Sequence, residues 1–337
     1  MSLDTFSGKI CIKGHVCAMD MLRREVESET KGRSVGCTEA EVEMVGVIMA
    51  CVGTAAAGCL LESAWEYGKF VTVEYEICAE QVTAPCKFVL LSDLHNKSYG
   101  KDNGKLIEKI DSISPDAVLV AGDMLTAMRG QSYDAALPLM RRLADRYKIY
   151  YGMGNHECRL QQCPEHYGKV YETYAAGLKA CGIEPLINEN VYLPAYNVAV
   201  CGAQIDWCYY QKFRKYPMDA AYLPKLLGKP RKDACQLLIA HNPQYFEEYA
   251  AWGADVVVSG HVHGGIMRLP VLGGVLSPNM TLFPKYDGGR FGQGTSTMIL
   301  SRGLGTHTIP IRVFNPGELV VITLKPGRVG AGTTRIR

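Results

Sequence analysis

Short apolar runs recur along the chain, and five of them end alike, in a glycine, serine or alanine followed by a carboxylate, an amide or an imidazole. They are Lys87-Phe-Val-Leu-Leu-Ser-Asp-Leu-His95, Ala117-Val-Leu-Val-Ala-Gly-Asp123, Ile149-Tyr-Tyr-Gly-Met-Gly-Asn-His-Glu157, Cys235-Gln-Leu-Leu-Ile-Ala-His241 and Asp255-Val-Val-Val-Ser-Gly-His-Val-His263. Such runs are too short for helices and read as strands buried on both faces. Stretches of helical period alternate with them. Gly104–Ile113 puts Leu106, Ile107, Ile110 and Ile113 on one face, Asp134–Arg146 is amphipathic, Tyr167–Cys181 stops at Gly182, and a further helix lies between Pro243 and Gly253. Val71–Ile77, Val191–Leu193, Val198–Gly202, Ile266–Leu272, Thr297–Ser301 and Glu318–Leu324 add strands, with a glycine-rich loop expected over Pro284–Gly294. The pattern dissolves between Asp206 and Lys232. There Trp207, Tyr209, Tyr210, Lys212, Phe213, Arg214 and Lys215 make either a substrate- or headgroup-contacting loop or a solvated one.

One stretch breaks the soluble pattern. Met44–Leu61 carries no charge, about the minimum that spans a hydrocarbon core as a helix, and Trp65 and Tyr67 follow at interfacial depth. The organisation expected is a poorly ordered extension over 1–43, an anchor helix over 44–66, a catalytic domain over 70–326 and a tail over 327–337. Arg23, Arg24, Lys31 and Arg33 precede the run and Lys69 follows it, a bias that keeps the N-terminus cytoplasmic and puts the catalytic domain outside the cell membrane. The thirteen cysteines pull towards a reducing, cytoplasmic setting. Their number is odd and none stands in Cys-x-x-Cys spacing, which argues against a disulfide framework or a zinc knuckle.

Charge then narrows the partners. A net charge of +2 shows no basic excess that would steer the chain onto polyanions, so nucleic acid is not the default partner. Open αβ sheets bind ligands beyond the carboxyl ends of their strands, and here five such ends supply Asp93 with His95, Asp123, Asn155, His241, and His261 with His263. Two carboxylates, one amide and four imidazoles exceed the four places of one tetrahedral zinc. They suit two cations sharing a bridging carboxylate. Nitrogen and oxygen donors without thiolate favour manganese, iron, zinc or cobalt, in divalent or trivalent form, over copper or a cluster. In an extended segment, residues two apart point to one side, so His261 and His263 alone suggest a common ion.

The order Asp-x-His, Gly-Asp, Gly-Asn-His-Glu, a lone His and Gly-His-x-His, spread over roughly residues 87 to 324, resembles the calcineurin-like metallophosphoesterase superfamily. The ending, with Arg302-Gly-Leu-Gly305, Pro310-Ile-Arg312 and Glu318–Leu324, resembles its bacterial YkuE/YaeI-type phosphodiesterase branch. That resemblance implies a four-layer αββα sandwich of two mixed sheets flanked by helices, here behind an N-terminal hydrophobic helix. It implies one metal on Asp93, His95, Asp123 and His263, and a second on Asp123, Asn155, His241 and His261. His156 would contact the scissile phosphate and protonate the leaving oxygen as general acid, while Glu157 would lie behind the ligands and orient a neighbour. Two such cations activate a water for in-line attack on a phosphate ester. The substrate expected is a small-molecule or lipid-linked phosphoester, most readily a phosphodiester. Alternatives are a nuclease or a nucleotide-linked lipid pyrophosphatase of the same fold, and, from another class, an inactive membrane-associated scaffold. Gly122-Asp-Met-Leu125 lacks the Asp-Arg-Gly continuation of protein Ser/Thr phosphatases. His15 and His166 read as surface residues and His307 as a loop histidine.

Overall fold

The computed structural model describes residues 39–130, 133–211, 214–265, 267–269, 273–277, 281–306 and 311–327. Residues 1–38, His15, Lys212, Phe213, Ile266, His307 and the end of the expected tail lie outside these. The chain divides into two compact units at Ala57 and Gly58.

A single helix, Glu39–Tyr67, bears the apolar run and is long and apolar enough to cross a membrane. It begins ahead of the expected Met44, so 39–43 are helical rather than part of an unordered extension. Glu39 and Glu41 in its first turn suit the positive end of the helix dipole. The unit from Gly58 takes in the helix's last turns, because Glu62, Ser63 and Glu66 accept hydrogen bonds from the backbone of Phe314, Arg312 and Asn315. It thus starts earlier than the expected Phe70.

Two mixed sheets make the body. The first is built from β1 (Phe70–Ala79), β2 (Cys86–Leu91), β3 (Ala117–Ala121), β4 (Lys148–Gly152) and β13 (Gly317–Pro326), in the order β1-β13-β2-β3-β4. The second contains β5 (Asn190–Leu193), β6 (Val198–Ala203), β7 (Cys235–Ala240), β8 (Val256–Ser259), β11 (Gly289–Gln293) and β12 (Ser296–Leu300), in the order β11-β12-β8-β7-β6-β5. Within each, the ligand-bearing strands run parallel: β2, β3 and β4 in one, β7 and β8 in the other. A small ladder pairs β9 (Arg268–Leu269) with β10 (Gly273–Gly274).

The continuous apolar runs follow from burial on both faces. Phe88, Leu90 and Leu119 of the first sheet pack against Leu237, Ile239 and Val258 of the second, forming the central layer. Val89, Leu91, Val118 and Val120 face the helices Gly104–Ile113, Ala136–Ala144 and Val170–Ala180. Leu238, Ala240 and Val257 face Tyr222–Leu227 and Phe246–Trp252. Helix, sheet, sheet and helix are the four layers expected.

Three local readings are corrected. Asn155, His156 and Glu157 open a helix, Asn155–Gln162, rather than ending a strand, because Glu157 at its third position accepts a hydrogen bond from Gly154 N, the carboxylate half of a capping box. The expected helix over Tyr167–Cys181 is divided into Pro164–Tyr167 and Val170–Ala180, with Gly168 at φ 68° between them. Part of the expected loop Pro284–Gly294 is the strand β11, paired antiparallel to β12.

Candidate metal centre

The carboxyl ends of β2, β3, β4, β7 and β8 converge, and every strand-end residue expected in the site is buried there. Asp93, His95 and His263 form one group of candidate ligands, and Asp123, His241 and His261 a second. His95, Asp123 and His156 form a third group that links them. His261 and His263 therefore belong to different groups, although their spacing suggested a common one. Extended geometry fails because His261 (φ 73°) and His263 (φ 54°) are left-handed, as are Asp93 (φ 51°), His95 (φ 49°) and Asp123 (φ 54°). Each such residue costs ~1–3 kcal/mol, which the rigid strands beneath must sustain. Strain gathered on five donors marks a surface shaped for binding rather than for stability.

The backbone is held to that shape from within. Glu157 accepts from Asp123 N (2.8 Å), Leu125 N (3.0 Å) and Gly154 N (3.1 Å), and so braces the turn that carries Asp123. Asp93 accepts from Ser92 Oγ and from His261 N at 3.0 Å, which ties the first sheet to the second. Gly154 must lack a side chain: a Cβ there would stand 2.2 Å from Asp123 Oδ1.

Ring nitrogens show where cations fit. His241 Nδ1 stands 2.5 Å from the Ala121 carbonyl and donates to it, so the lone pair of Nε2 faces Asp123 Oδ2 at 3.0 Å. Two acceptors that close require a proton or a cation between them. His95 and His263 repeat the arrangement, with their Nε2 atoms 3.1 Å apart and His263 Nε2 3.3 Å from Asp93 Oδ1. His95 is aimed from behind by Thr126 Oγ1, 3.1 Å from its Nδ1. Among the described residues the buried Asn155 Oδ1 has no hydrogen-bond partner, as a carbonyl oxygen meant for a metal would not. These atoms fit the cations that the donor types imply.

The protein's own charges tell the same story. Burial pushes Asp93 up to about 6, with the Asp123 carboxylate adding to it against the pull of His241. Burial also opposes ionisation of Asp123, but His241 outweighs it and holds the carboxyl well below its usual range. On His241, burial disfavours the charged ring and Asp123 overcomes it, raising the imidazole to about 9. Burial and the Asp123 charge lift Glu157 to about 7. So much buried negative potential attracts positive charge.

His156 lies beside the centre, its Nε2 3.9 Å from Asp123 Oδ2. Ala127 N donates to its Nδ1 at 2.8 Å, so the ring proton sits on Nε2, towards the site. Tyr210, from the aromatic and basic loop, is buried with its ring 5.4 Å from that of His261. Two contributors had no sequence signal: Thr126 backs His95, and Asn315 Nδ2 donates to the carbonyls of His263 and Gly265 at 2.7 Å. Both act across long sequence separations, which no local pattern reveals.

A cavity of about 310 Å³ is lined by Val262, between the two histidines in sequence, and by Pro243, close after His241. Gln211, Arg214 and Lys215 from the aromatic and basic loop also line it. Lys215 pairs with Glu248 and Arg214 lies over the Tyr216 ring. His166, by contrast, is solvent-facing beside Glu165. Among the described residues every cysteine is a free thiol, Cys158 being buried behind the centre.

Two sheets whose strand ends pool carboxylate, amide and imidazole donors define a metal-dependent hydrolase. The sequence profile of the calcineurin-like phosphoesterases matches residues 86–265, over half of the chain, and the chain belongs to that family of phosphoester hydrolases. It is similar to the metallophosphoesterase YkuE of Bacillus subtilis, 25% identical over 71% of this chain and 79% of that one. It is also similar to a zebrafish (Danio rerio) protein called transmembrane protein with metallophosphoesterase domain, 27% identical over 71% of this chain and 53% of that one. Among solved structures, purple acid phosphatase PPD1 from yellow lupin seeds aligns with a TM-score of 0.33 at 13% identity, over 77% of this chain and 47% of that one. The chain spans about half the length of several curated relatives that it matches. The apolar helix and the transmembrane relatives support membrane association.

Proposed function

We propose that this chain is a membrane-anchored phosphodiesterase working with two cations. One observation carries the reading: donors from both sheets gather into two groups with Asp123 between them and His156 alongside. Asp93, His95, Asp123 and His263 would hold one cation, and Asp123, Asn155, His241 and His261 the other. Bound there, they would supply Lewis-acid charge for the phosphoryl oxygens and a water acidic enough to attack near neutral pH.

The chain's own residues do the rest. Glu157 and the Ala121 carbonyl fix Asp123 and His241 in place before substrate arrives, so little reorganisation is left for the reaction. His156 offers its Nε2 proton to an oxygen that gains charge. Because its Nδ1 is occupied by Ala127 N–H, the ring is neutral, and its role narrows from the general acid of the sequence reading to a hydrogen-bond donor at the leaving oxygen. The cavity beyond Val262 gives room for a second ester substituent, which favours a diester over a monoester. The arginine and lysine excess before the helix supports a catalytic unit outside the cytoplasm, against the reducing, cytoplasmic setting that the thirteen cysteines favour.

The test is hydrolysis of bis(p-nitrophenyl) phosphate and p-nitrophenyl phosphate by the full chain in detergent, with manganese added and metal counted. Manganese-dependent turnover, faster on the diester, is expected. Asp123→Asn should lose metal and activity together, whereas His156→Ala should keep its metal and lose about 10²-fold or more in rate. Absence of metal-dependent turnover would leave the scaffold reading.

A further inference from the structure

We propose that residues 62–67, the last turns of the helix Glu39–Tyr67, position one cation site and not the other: Ser63, Glu66 and Tyr67 act through Arg312, Asn315 and Lys97 on Asp93, His95 and His263. The proposal rests on the two-cation reading, and every contact it uses lies inside the unit that begins at Gly58.

The helix first fixes a turn. Arg312 N donates to Ser63 Oγ at 2.9 Å, Phe314 N to Glu62 Oε2 at 3.1 Å and Asn315 N to Glu66 Oε2 at 2.7 Å, so helix side chains hold three of the four N–H groups in 312–315. Phe314 is left-handed, at φ 51°, a conformation that a bulky residue keeps only where its surroundings impose it. These three acceptors impose it.

Lines of contact then run to each member of one ligand group. Asn315, fully buried, donates through Nδ2 to the carbonyls of His263 and Gly265 at 2.7 Å, which sets the backbone that aims the His263 ring. Arg312, also buried, donates to the carbonyls of Arg302 (2.9 Å), Gly303 (3.2 Å) and Gly305 (3.1 Å). That loop lies on the turn of Asp93. Leu304 N donates to Ser92 O at 3.0 Å and Gly305 N to Asp93 O at 2.6 Å, and a Cβ on Gly303 would stand 2.7 Å from that of Asp93. Lys97, two residues past His95, buries its Nζ 4.4 Å from the centre of the Tyr67 ring and 4.5 Å from that of Tyr99. The other group is framed differently. Glu157 accepts from Asp123 N, and the Ala121 carbonyl accepts from His241. Partners behind a ligand govern its aim and hence the affinity of its metal, so the helix end controls one cation.

The test strips the full chain of metal in detergent and titrates manganese into it against a chelating dye. Glu66→Ala should weaken one of the two bound ions by about 10-fold and leave the other, whereas Glu66→Gln, which keeps an oxygen for Asn315 N, should stay within about twofold of the parent. Two backgrounds identify the ion. With His261→Ala, where the cation that remains is the one on Asp93, His95 and His263, Glu66→Ala should again cost about 10-fold; with His263→Ala it should cost nothing. A melt in chelator establishes that each variant is folded, and Ser63→Ala carries the same expectation through Arg312 where Glu66→Ala does not fold. Equal weakening in both backgrounds would mean general loosening and overturn the proposal, as would no weakening in either. A glutamine variant as weak as the alanine one would overturn the role of the hydrogen bond to Asn315. A parent that takes up no manganese would instead refute the two-cation reading itself.

Discussion

Glu157 offers the sharpest test of how the centre is built, since it touches no expected metal ligand side chain and yet braces the turn carrying one. Its carboxylate is fully buried and accepts from the backbone of Asp123, Leu125 and Gly154, with Tyr151 Oη 3.3 Å away. Glu157→Ala strands three buried N–H groups, each costing ~1–3 kcal/mol, so the loss should reach about 3–6 kcal/mol once water refills part of the gap. Relief of repulsion with Asp123 offsets some of this. Glu157→Gln separates the two effects, because it also removes the charge but keeps an oxygen for Asp123 N and Gly154 N and strands one donor in place of three. Its cost should be ~1–2 kcal/mol. The assay is thermal unfolding in excess chelator, so that bound metal does not contribute; at roughly 2–4 °C per kcal/mol, Glu157→Ala should melt about 6–24 °C lower. A melt within 2–3 °C of the parent, or a glutamine variant less stable than the alanine one, would show that these hydrogen bonds do not brace the turn.

Other consequences follow from the same geometry. Asn315→Ala removes the clamp on the carbonyls of His263 and Gly265 and should weaken metal binding ~10–100-fold, measured by competition with a chelating dye, while also lowering the melt of the metal-free protein because two buried carbonyls lose their donor. His261→Ala and His263→Ala should each leave about one metal per chain, since the two rings fall in separate ligand groups; loss of both metals from either variant would sink that division. Gly154→Ala should abolish activity by driving a methyl onto Asp123, whereas Gly104→Ala, with open space at its Cβ and helical backbone, should be neutral or stabilising by about 0.5–1 kcal/mol.

Sequence alone carried the layers and the donor set. Continuous apolar runs such as Val89–Leu91 and Val256–Val258 can be buried only on both faces, which demands sheets covered on both sides, and side chains at the ends of parallel strands have one edge on which to meet. The donor types at those ends also limited the chemistry to hard and borderline cations. Local readings failed where contacts across the fold outweighed local preference. Asn155 begins a helix because Glu157 caps it and reaches back to β3's turn, and His261 and His263 part company because left-handed backbone, stabilised by Asp93 accepting from His261 N, redirects them. Only the tertiary structure set the tautomer of His156, through an amide 29 residues away in sequence. Pattern along a chain reports what each segment must bury; which atoms then meet is decided by long-range packing, and catalysis depends on those meetings at the scale of a single hydrogen bond.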